Sequence, residues 1–187
     1  MPVPMHAPVA THAVFVPRSF DEAYRGHAQD AARWARHLGG DQIDVEDVVQ
    51  EVFLVVSLRL DSFRGDARFT TWLFEITRKV VANHRRRQRW RFWRTGEERK
   101  LASLPSPVRD PHAEMERRQA AMLFYRTLDQ LSEKYRTVLV LFEVEGLSTH
   151  DIAELCHLPW STVKVQLHRA RELFLRQHEQ LSKKGKS

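Results

Sequence analysis

The stretch Leu147-Ser-Thr-His-Asp-Ile-Ala-Glu-Leu-Cys-His-Leu-Pro-Trp-Ser-Thr-Val-Lys-Val-Gln-Leu-His-Arg-Ala-Arg-Glu-Leu-Phe174 decides how this chain is read. Ser148 is a good N-cap, and Asp151 follows three residues later, where a carboxylate meets free backbone N–H groups. Ile152, Ala153 and Leu155 supply packing for a short helix, with Ala153 small enough for close helix approach. His157-Leu158-Pro159 makes a turn, and a second helix starts near Pro159 or Trp160. At about 100° per residue, Val163, Leu167, Ala170 and Phe174 fall on one face and must pack on the first helix. The opposite side carries Ser161, Val165, His168 and Glu172, flanked by Thr162, Lys164 and Arg169. The expectation is a helix-turn-helix over 149–174, whose second helix reads base edges mainly with its N-terminal residues. Lys164 and Arg169 can donate to guanine or phosphate, and Val165 can touch a thymine methyl. Gln166 turns back towards the packed side. An ordinary helical hairpin with a solvated basic face is the plainer alternative, but cap, turn and basic second helix together favour DNA binding.

Composition agrees with that partner. The 187 residues carry a formal charge of +6 and a pI near 9.8, which favours nucleic acid or anionic lipid. The hydrophobic share of 42% is enough to build cores. Cys156 is the single cysteine, so no intrachain disulfide framework is possible, which fits a reducing compartment. The N-terminus lacks a basic n-region, and Pro2, Pro4, Pro8 and Pro17 break any apolar helix there. No apolar run is long enough to cross a bilayer. A cytoplasmic protein is expected.

Outward from the helix-turn-helix, the chain divides into two helical modules. Residues 1–18 read as a flexible arm. From 20 to 94 the pattern is helical: Phe20, Ala23, Tyr24, His27, Ala31 and Trp34 recur at helical spacing, and Gly39-Gly40 stops that helix. A second helix begins near Val45 with Asp44 as N-cap. Its apolar residues Val45, Val48, Val49, Val52, Phe53 and Val56 face a core, with Asp47, Gln50, Glu51 and Leu54 elsewhere on the helix. The valines would suit a strand, but two-residue alternation is absent and the length favours a helix. After a turn at Phe63-Arg64-Gly65-Asp66, a long helix starts at about Thr70, with Trp72, Leu73, Ile76, Val80 and Val81 as its apolar stripe. It ends in Arg85, Arg86, Arg87, Arg89, Arg91 and Arg94, interleaved with Trp90, Phe92 and Trp93. Residues 95–113 hold Pro105, Pro107 and Pro111 without periodicity and read as an extended linker. Helical pattern resumes near Glu114, runs to about 180, and leaves a frayed tail at 181–187. The fold class is all-α, with two small helical domains at 19–94 and 114–180.

Four strings, taken in order, resemble one family. They are Asp44-Val-Glu-Asp-Val-Val-Gln-Glu-Val-Phe53, Phe63-Arg-Gly-Asp-Ala-Arg-Phe-Thr-Thr-Trp-Leu73, Leu131-Ser-Glu-Lys-Tyr-Arg-Thr-Val-Leu139, and Leu147-Ser-Thr-His-Asp-Ile-Ala-Glu-Leu155 with Thr162-Val-Lys164 and Arg169-Ala-Arg-Glu-Leu173. Residues 20–94 and 114–176 thereby resemble the bacterial extracytoplasmic-function sigma factors, group IV of the sigma-70 family. The resemblance implies an alternative sigma factor that binds core RNA polymerase and directs it to promoters, with sigma region 2 before the linker and sigma region 4 after it. It implies contacts with the clamp helices of the largest polymerase subunit and the flap of the second largest, with promoter DNA, and with an anti-sigma factor.

The resemblance also assigns residues. Asp44, Asp47, Gln50 and Glu51 match the core-binding helix; the plainer alternative is a solvated acidic face. Arg64, Arg68, Lys79, Asn83, Arg86 and Arg87 fall in the part that opens the −10 element, where unstacking a base costs a few kcal/mol and cationic contacts repay it. The family often has asparagine where Lys79 stands. Ser161, Thr162, Lys164, Val165, His168 and Arg169 fall in the −35 reader, with polar residues more usual at Val165 and His168. His157 replaces a common turn glycine. The Arg85–Arg94 cluster suits phosphate contact, an apolar partner patch or a solvated helix end, with phosphate contact favoured. Cys156 near His150 and His157 invites a zinc reading, but the spacing matches no four-ligand template. No metal, no cofactor and no catalytic constellation is expected. The rival function is a free-standing helix-turn-helix regulator of response-regulator output type, which would need a sensor or receiver domain upstream.

Overall fold

The computed structural model describes residues 17–40, 43–65, 67–95 and 111–184. Most of the expected arm, most of the linker and the last residues of the tail lie outside the described residues. Every regular element among the described residues is helical, so the chain is all-α.

Helix α1 (Phe20–Gly39) starts at Ser19, whose hydroxyl accepts from the Glu22 N–H. Asp21 and Glu22 in its first turn, and Arg36 and His37 in its last, both complement the helix dipole. Gly40 ends it at φ +69 and ψ −159, a conformation essentially reserved for glycine. A Cβ there would also sit 2.9 Å from the Tyr125 ring. Helix α2 (Val45–Arg59) is capped by Asp44, which accepts from the N–H groups of Glu46 and Asp47. Val48, Val52, Phe53 and Val56 are buried at the spacing of one helical face, so the valine-rich segment packs as a helix. A 3-10 turn (Leu60–Ser62) leads to α3 (Phe69–Thr95).

Helices α1, α2 and α3 pack against one another as the N-terminal bundle. Phe74, absent from the expected stripe, is fully buried and meets Trp34 edge-on at 5.2 Å and 83°. Trp72 is half-buried in a cluster with Phe63 and Phe69, at ring distances of 5.1 and 5.5 Å. It supports the loop that precedes α3.

The C-terminal bundle comprises α4 (Pro111–Leu128), α5 (Glu133–Glu143), α6 (Thr149–Leu155) and α7 (Trp160–Lys184). Helix α4 begins three residues before the expected Glu114, because proline suits the first turn of a helix, where its missing N–H costs nothing. Helices α4, α5 and α6 all pack on α7. Leu128, Leu141, Ile152, Val163 and Ala170 are fully buried between them. Each such leucine, isoleucine or valine stabilises by roughly 1.5–3 kcal/mol.

The two bundles touch. Arg136 of α5 is 1% exposed and donates its Nε–H to the Leu38 carbonyl at the end of α1, at 2.8 Å. Its Nη1 donates to Asp129, 2.9 Å away. Arg85 of α3 donates to the same Asp129 oxygen at 2.8 Å, and Arg89 reaches the Asp129 carbonyl. Around this buried centre lie more exposed pairs: Arg33 and His37 with Glu145, Arg78 with Glu133, and Arg68 with Glu154. The solvent-exposed pairs among them, Arg78–Glu133 and Arg68–Glu154, contribute about 0–1 kcal/mol each, so the apolar cores carry most of the stability.

Candidate nucleic-acid and partner interfaces

Helix α6 and helix α7 form the expected helix-turn-helix. Ser148 and Asp151 make a reciprocal capping box: the Asp151 N–H donates to the Ser148 hydroxyl at 3.2 Å, and the Ser148 N–H donates to the Asp151 carboxylate at 3.1 Å. Two otherwise unpaired donors are thereby satisfied. His157 occupies the turn at φ +50, a region that histidine tolerates better than bulkier residues. Ile152, Val163, Leu167 and Ala170 close the core between the two helices. Phe174 is half-buried and stacks against His178 at 5.8 Å.

That packing turns the opposite face of α7 outward. Ser161, Lys164, Val165, His168 and Arg169 are exposed, and Thr162 is half-buried. Val165 is 51% exposed, so an apolar side chain stands in solvent in the middle of a polar face. Gln166 turns inward, as its position on the helix requires, and its Oε1 is buried without a hydrogen-bond partner. His168 lies 3.5 Å from Glu172. Arg169 is already engaged, for it bonds the Tyr135 hydroxyl and holds that phenol below its usual pKa.

Trp160, absent from the expected site residues, opens α7 and is 43% exposed. Its indole N–H donates to the Thr149 hydroxyl at 2.9 Å. The His150 ring stacks on the indole at 4.9 Å and 14°, and the Lys164 ammonium lies 4.4 Å from the ring centroid. Four side chains from the two helices thus form one exposed group.

The residues expected at the −10 element line the loop before α3 and one side of α3. Arg64, Lys79, Arg86 and Arg87 are exposed, and Asn83 is half-buried. Several of these cations have carboxylate partners within the chain. Arg68 pairs with Glu154 of α6 at 2.9 Å, Lys79 lies 3.6 Å from Glu75, and Arg87 lies 3.8 Å from Glu51. Arg86 donates to Asn83 at 3.2 Å. An open cleft of about 690 Å³ separates Gly65, Ala67, Arg68 and Thr71 from the helix-turn-helix turn at His157, Leu158 and Pro159.

The arginine cluster divides in two. Arg85 and Arg89 point into the contact between bundles. Arg86, Arg91 and Arg94 are exposed, and the Arg94 guanidinium lies 4.7 Å over the Trp90 ring, which is 59% exposed. The side chains of Phe92 and Trp93 lie outside the described residues. Burial, with the neighbouring Arg85 cation adding to it, pushes Arg136 down to about 9, while Asp129 pulls the other way. Arg136 therefore remains a cation at neutral pH.

On α2 the four expected core-binding residues separate by role. Asp44 spends its carboxylate on the cap. Glu51 is half-buried and bonded to His84 at 2.8 Å. Asp47 and Gln50 are exposed, and so are Leu54 at 60% and Leu58 at 77%. The spacing 47, 50, 54, 58 makes this one stripe. Leu54 is legible as off the core face, but its exposure depends on no other helix covering α2 there.

Cys156 is half-buried, and burial pushes its thiol up to about 12. Among the described residues no group of three metal-ligating side chains exists, and no helix is long and apolar enough to cross a membrane.

Comparison with known proteins identifies the two bundles. Residues 23–91 match the family Sigma-70 region 2, and residues 121–174 match Sigma-70, region 4. The RNA polymerase sigma-H factor of Pseudomonas aeruginosa is 36% identical over 138 residues, covering 71% of this chain and 72% of that protein. The ECF RNA polymerase sigma-E factor of Haemophilus influenzae is 33% identical over 136 residues, covering 70% and 72%. CnrH, solved in complex with the cytosolic domain of CnrY, superposes with a TM-score of 0.55 at 26% identity, over 85% of this chain and 86% of that one. The sigma factor RpoE of Bartonella quintana, solved with the anti-sigma factor NepR, has the same fold, with a TM-score of 0.58 at 21% identity over 86% and 96%. With region 2 in its N-terminal bundle, region 4 in its helix-turn-helix bundle, and relatives of this similarity across most of both chains, the protein belongs to the ECF RNA polymerase sigma factors.

Proposed function

We propose that the chain binds core RNA polymerase and directs it to promoters as an alternative sigma factor. The observation that carries this is the presence, on one chain, of two separate faces that no other described helix covers. Helix α7 presents Lys164, Val165, His168 and Arg169 opposite its buried side. Helix α2 presents Asp47 and Gln50 beside the uncovered Leu54 and Leu58. A basic helix-turn-helix suits duplex DNA, here the −35 element. An acidic stripe with exposed leucines suits a protein partner, since acids steer encounter with a basic surface and leucines supply area to bury. That partner is the clamp of the largest polymerase subunit, with region 4 on the flap of the second largest.

In this reading residues 19–94 hold core polymerase and the −10 element, and residues 114–180 read the −35 element. Arg64, Arg68, Lys79, Asn83, Arg86 and Arg87 receive the −10 strand, with Arg68, Lys79 and Arg87 exchanging their own carboxylates for DNA. Ser161 and Thr162 open the −35 reader. The chain works by binding, without a cofactor or a reaction of its own, in the cytoplasm. An anti-sigma protein holds it inactive, a mode of control that the pairing of RpoE with the anti-sigma factor NepR supports.

The test mixes the pure protein with core polymerase and promoter DNA and scores start-site-specific transcription. Transcription that needs both the protein and intact −10 and −35 elements is expected. Absence of both core binding and transcription overturns the proposal. Retention of DNA binding without core binding favours a free-standing regulator.

A further inference from the structure

Trp160 lies within the stretch matched to region 4, and its exposed side chain is held from two sides. Its indole N–H is bound to Thr149, and its ring is stacked on His150. Both partners belong to the first turn of α6. The ring is therefore fixed across the two helices of the motif rather than free on one of them. Lys164 lies one turn further along α7 and places its ammonium 4.4 Å from the ring centroid.

That position needs a cause. Helical side chains lean towards the N-terminus, so Lys164 can reach back to Trp160. The ammonium, however, moves towards the positive end of the helix dipole, which repels cations. The electron-rich face of the indole supplies the opposing attraction. Without the ring, Lys164 has little reason to stay there, because a lysine has four rotatable bonds and a strongly hydrated head. The N-terminal end of α7 is also the end that a recognition helix inserts into the major groove. A cation–π contact directs one or two of the three ammonium N–H groups at the ring, so at least one remains for guanine O6 or N7 or for phosphate.

We propose that Trp160 is a positioning residue of the −35 reader: fixed by Thr149 and His150, it holds Lys164 at the N-terminal end of α7 and so sets how strongly the promoter base opposite Lys164 is discriminated. The proposal rests on the −35 reading of α7. Prepositioning saves the side-chain entropy that a free lysine loses when it binds. An exposed cation–π contact is worth about two- to fivefold in an equilibrium constant, which bounds the effect.

The experiment uses the full chain assembled with core polymerase and a panel of promoters altered one base at a time in the −35 element. The variants are Trp160→Leu, Trp160→Phe, Lys164→Met and the Trp160→Leu/Lys164→Met pair. Lys164→Met is expected to flatten the preference at one −35 position. Trp160→Leu is expected to weaken the same preference by about two- to fivefold, with no further loss in the double variant. Trp160→Phe, which keeps a ring face, is expected to restore most of it. Thermal melting of each variant alone separates loss of fold from loss of positioning. If Lys164→Met leaves every −35 preference intact, the −35 role of Lys164 fails, and the positioning role with it. If Lys164→Met flattens the preference but Trp160→Leu does not, or the two effects add, only the positioning role of Trp160 is overturned. A Trp160→Leu loss spread evenly over all −35 sequences also overturns it.

Discussion

Replacing Asp129 with asparagine tests the buried centre between the bundles most directly. The Asp129 side chain is 4% exposed, and those of Arg136 and Arg85 are 2% and 12% exposed. One carboxylate oxygen receives both guanidinium groups, at 2.9 and 2.8 Å. Asparagine fills the space but leaves two cations facing each other without the anion between them. Removing one partner of a buried pair costs about 3–5 kcal/mol. For a chain of this size each kcal/mol lowers the melting temperature by about 2–4 °C, so a fall of about 6–20 °C follows. Arg85→Gln gives the contrast. It loses one charge-assisted hydrogen bond, worth about 1.5–3 kcal/mol, but removes a cation that itself works against Arg136. Its cost therefore falls below that of Asp129→Asn. Urea unfolding at neutral pH, with slopes compared to detect loss of cooperativity, measures both. An Asp129→Asn variant within about 1 kcal/mol of the wild type, or an Arg85→Gln variant that costs as much, would mean that Asp129 does not hold the two cations together.

Four further outcomes are expected. Gly40→Ala should destabilise by at least about 1–3 kcal/mol through its backbone conformation alone, more once the 2.9 Å approach to Tyr125 is added; thermal melting reads this. Glu154→Gln should release Arg68 from a half-exposed pair worth at most about 1 kcal/mol, so affinity for −10 strand DNA should rise by no more than about fivefold in a fluorescence titration. Cys156, with a thiol pushed up to about 12 by burial, should alkylate with iodoacetamide far more slowly at pH 8 in the native protein than in urea. Burial alone would raise the Glu145 carboxyl, but the His37 and Arg33 contacts hold it below its usual value. Its contribution is therefore present above the ordinary glutamate range and lost as pH falls through the lowered pKa. The stability gap between wild type and Glu145→Gln should close as pH falls through the acid range.

Much of the fold is legible in the sequence because local rules and packing agree. The Ser148–Asp151 box, the Asp44 cap and the Gly40 stop are each set by neighbouring residues. The side of α7 bearing Val163, Leu167 and Ala170 follows from helical spacing alone. What escapes is decided by residues distant in the chain. Phe74 is core because Trp34 of α1 meets it, and Trp72 supports a loop because Phe63 folds back over it. Arg85 and Arg89 look like part of a uniform basic helix end, but Asp129, some 40 positions away, draws them inward. Asp44 and Glu51 share the acidic pattern of Asp47, yet one is used as a cap and the other on His84. Leu54 and Leu58 stand out as exposed only once the packing of the described helices is known. Trp160 reads as the start of a helix, and its partnership with Thr149 and His150 depends on the angle between α6 and α7.

The carboxylates beside the basic residues change how the protein reports its own contacts with DNA. A phosphate contact is ordinarily counted from the counterions it releases, seen as the slope of affinity against salt concentration. Arg68, Lys79 and Arg87 each have an acid of the same chain within 4 Å, namely Glu154, Glu75 and Glu51. A cation that exchanges its own carboxylate for a phosphate frees a carboxylate that attracts cations, which offsets part of the salt released from the DNA. The salt slope of promoter binding should accordingly undercount the phosphates touched. The same exchange weakens attachment to arbitrary DNA, where geometry gives no compensation for the lost internal pair.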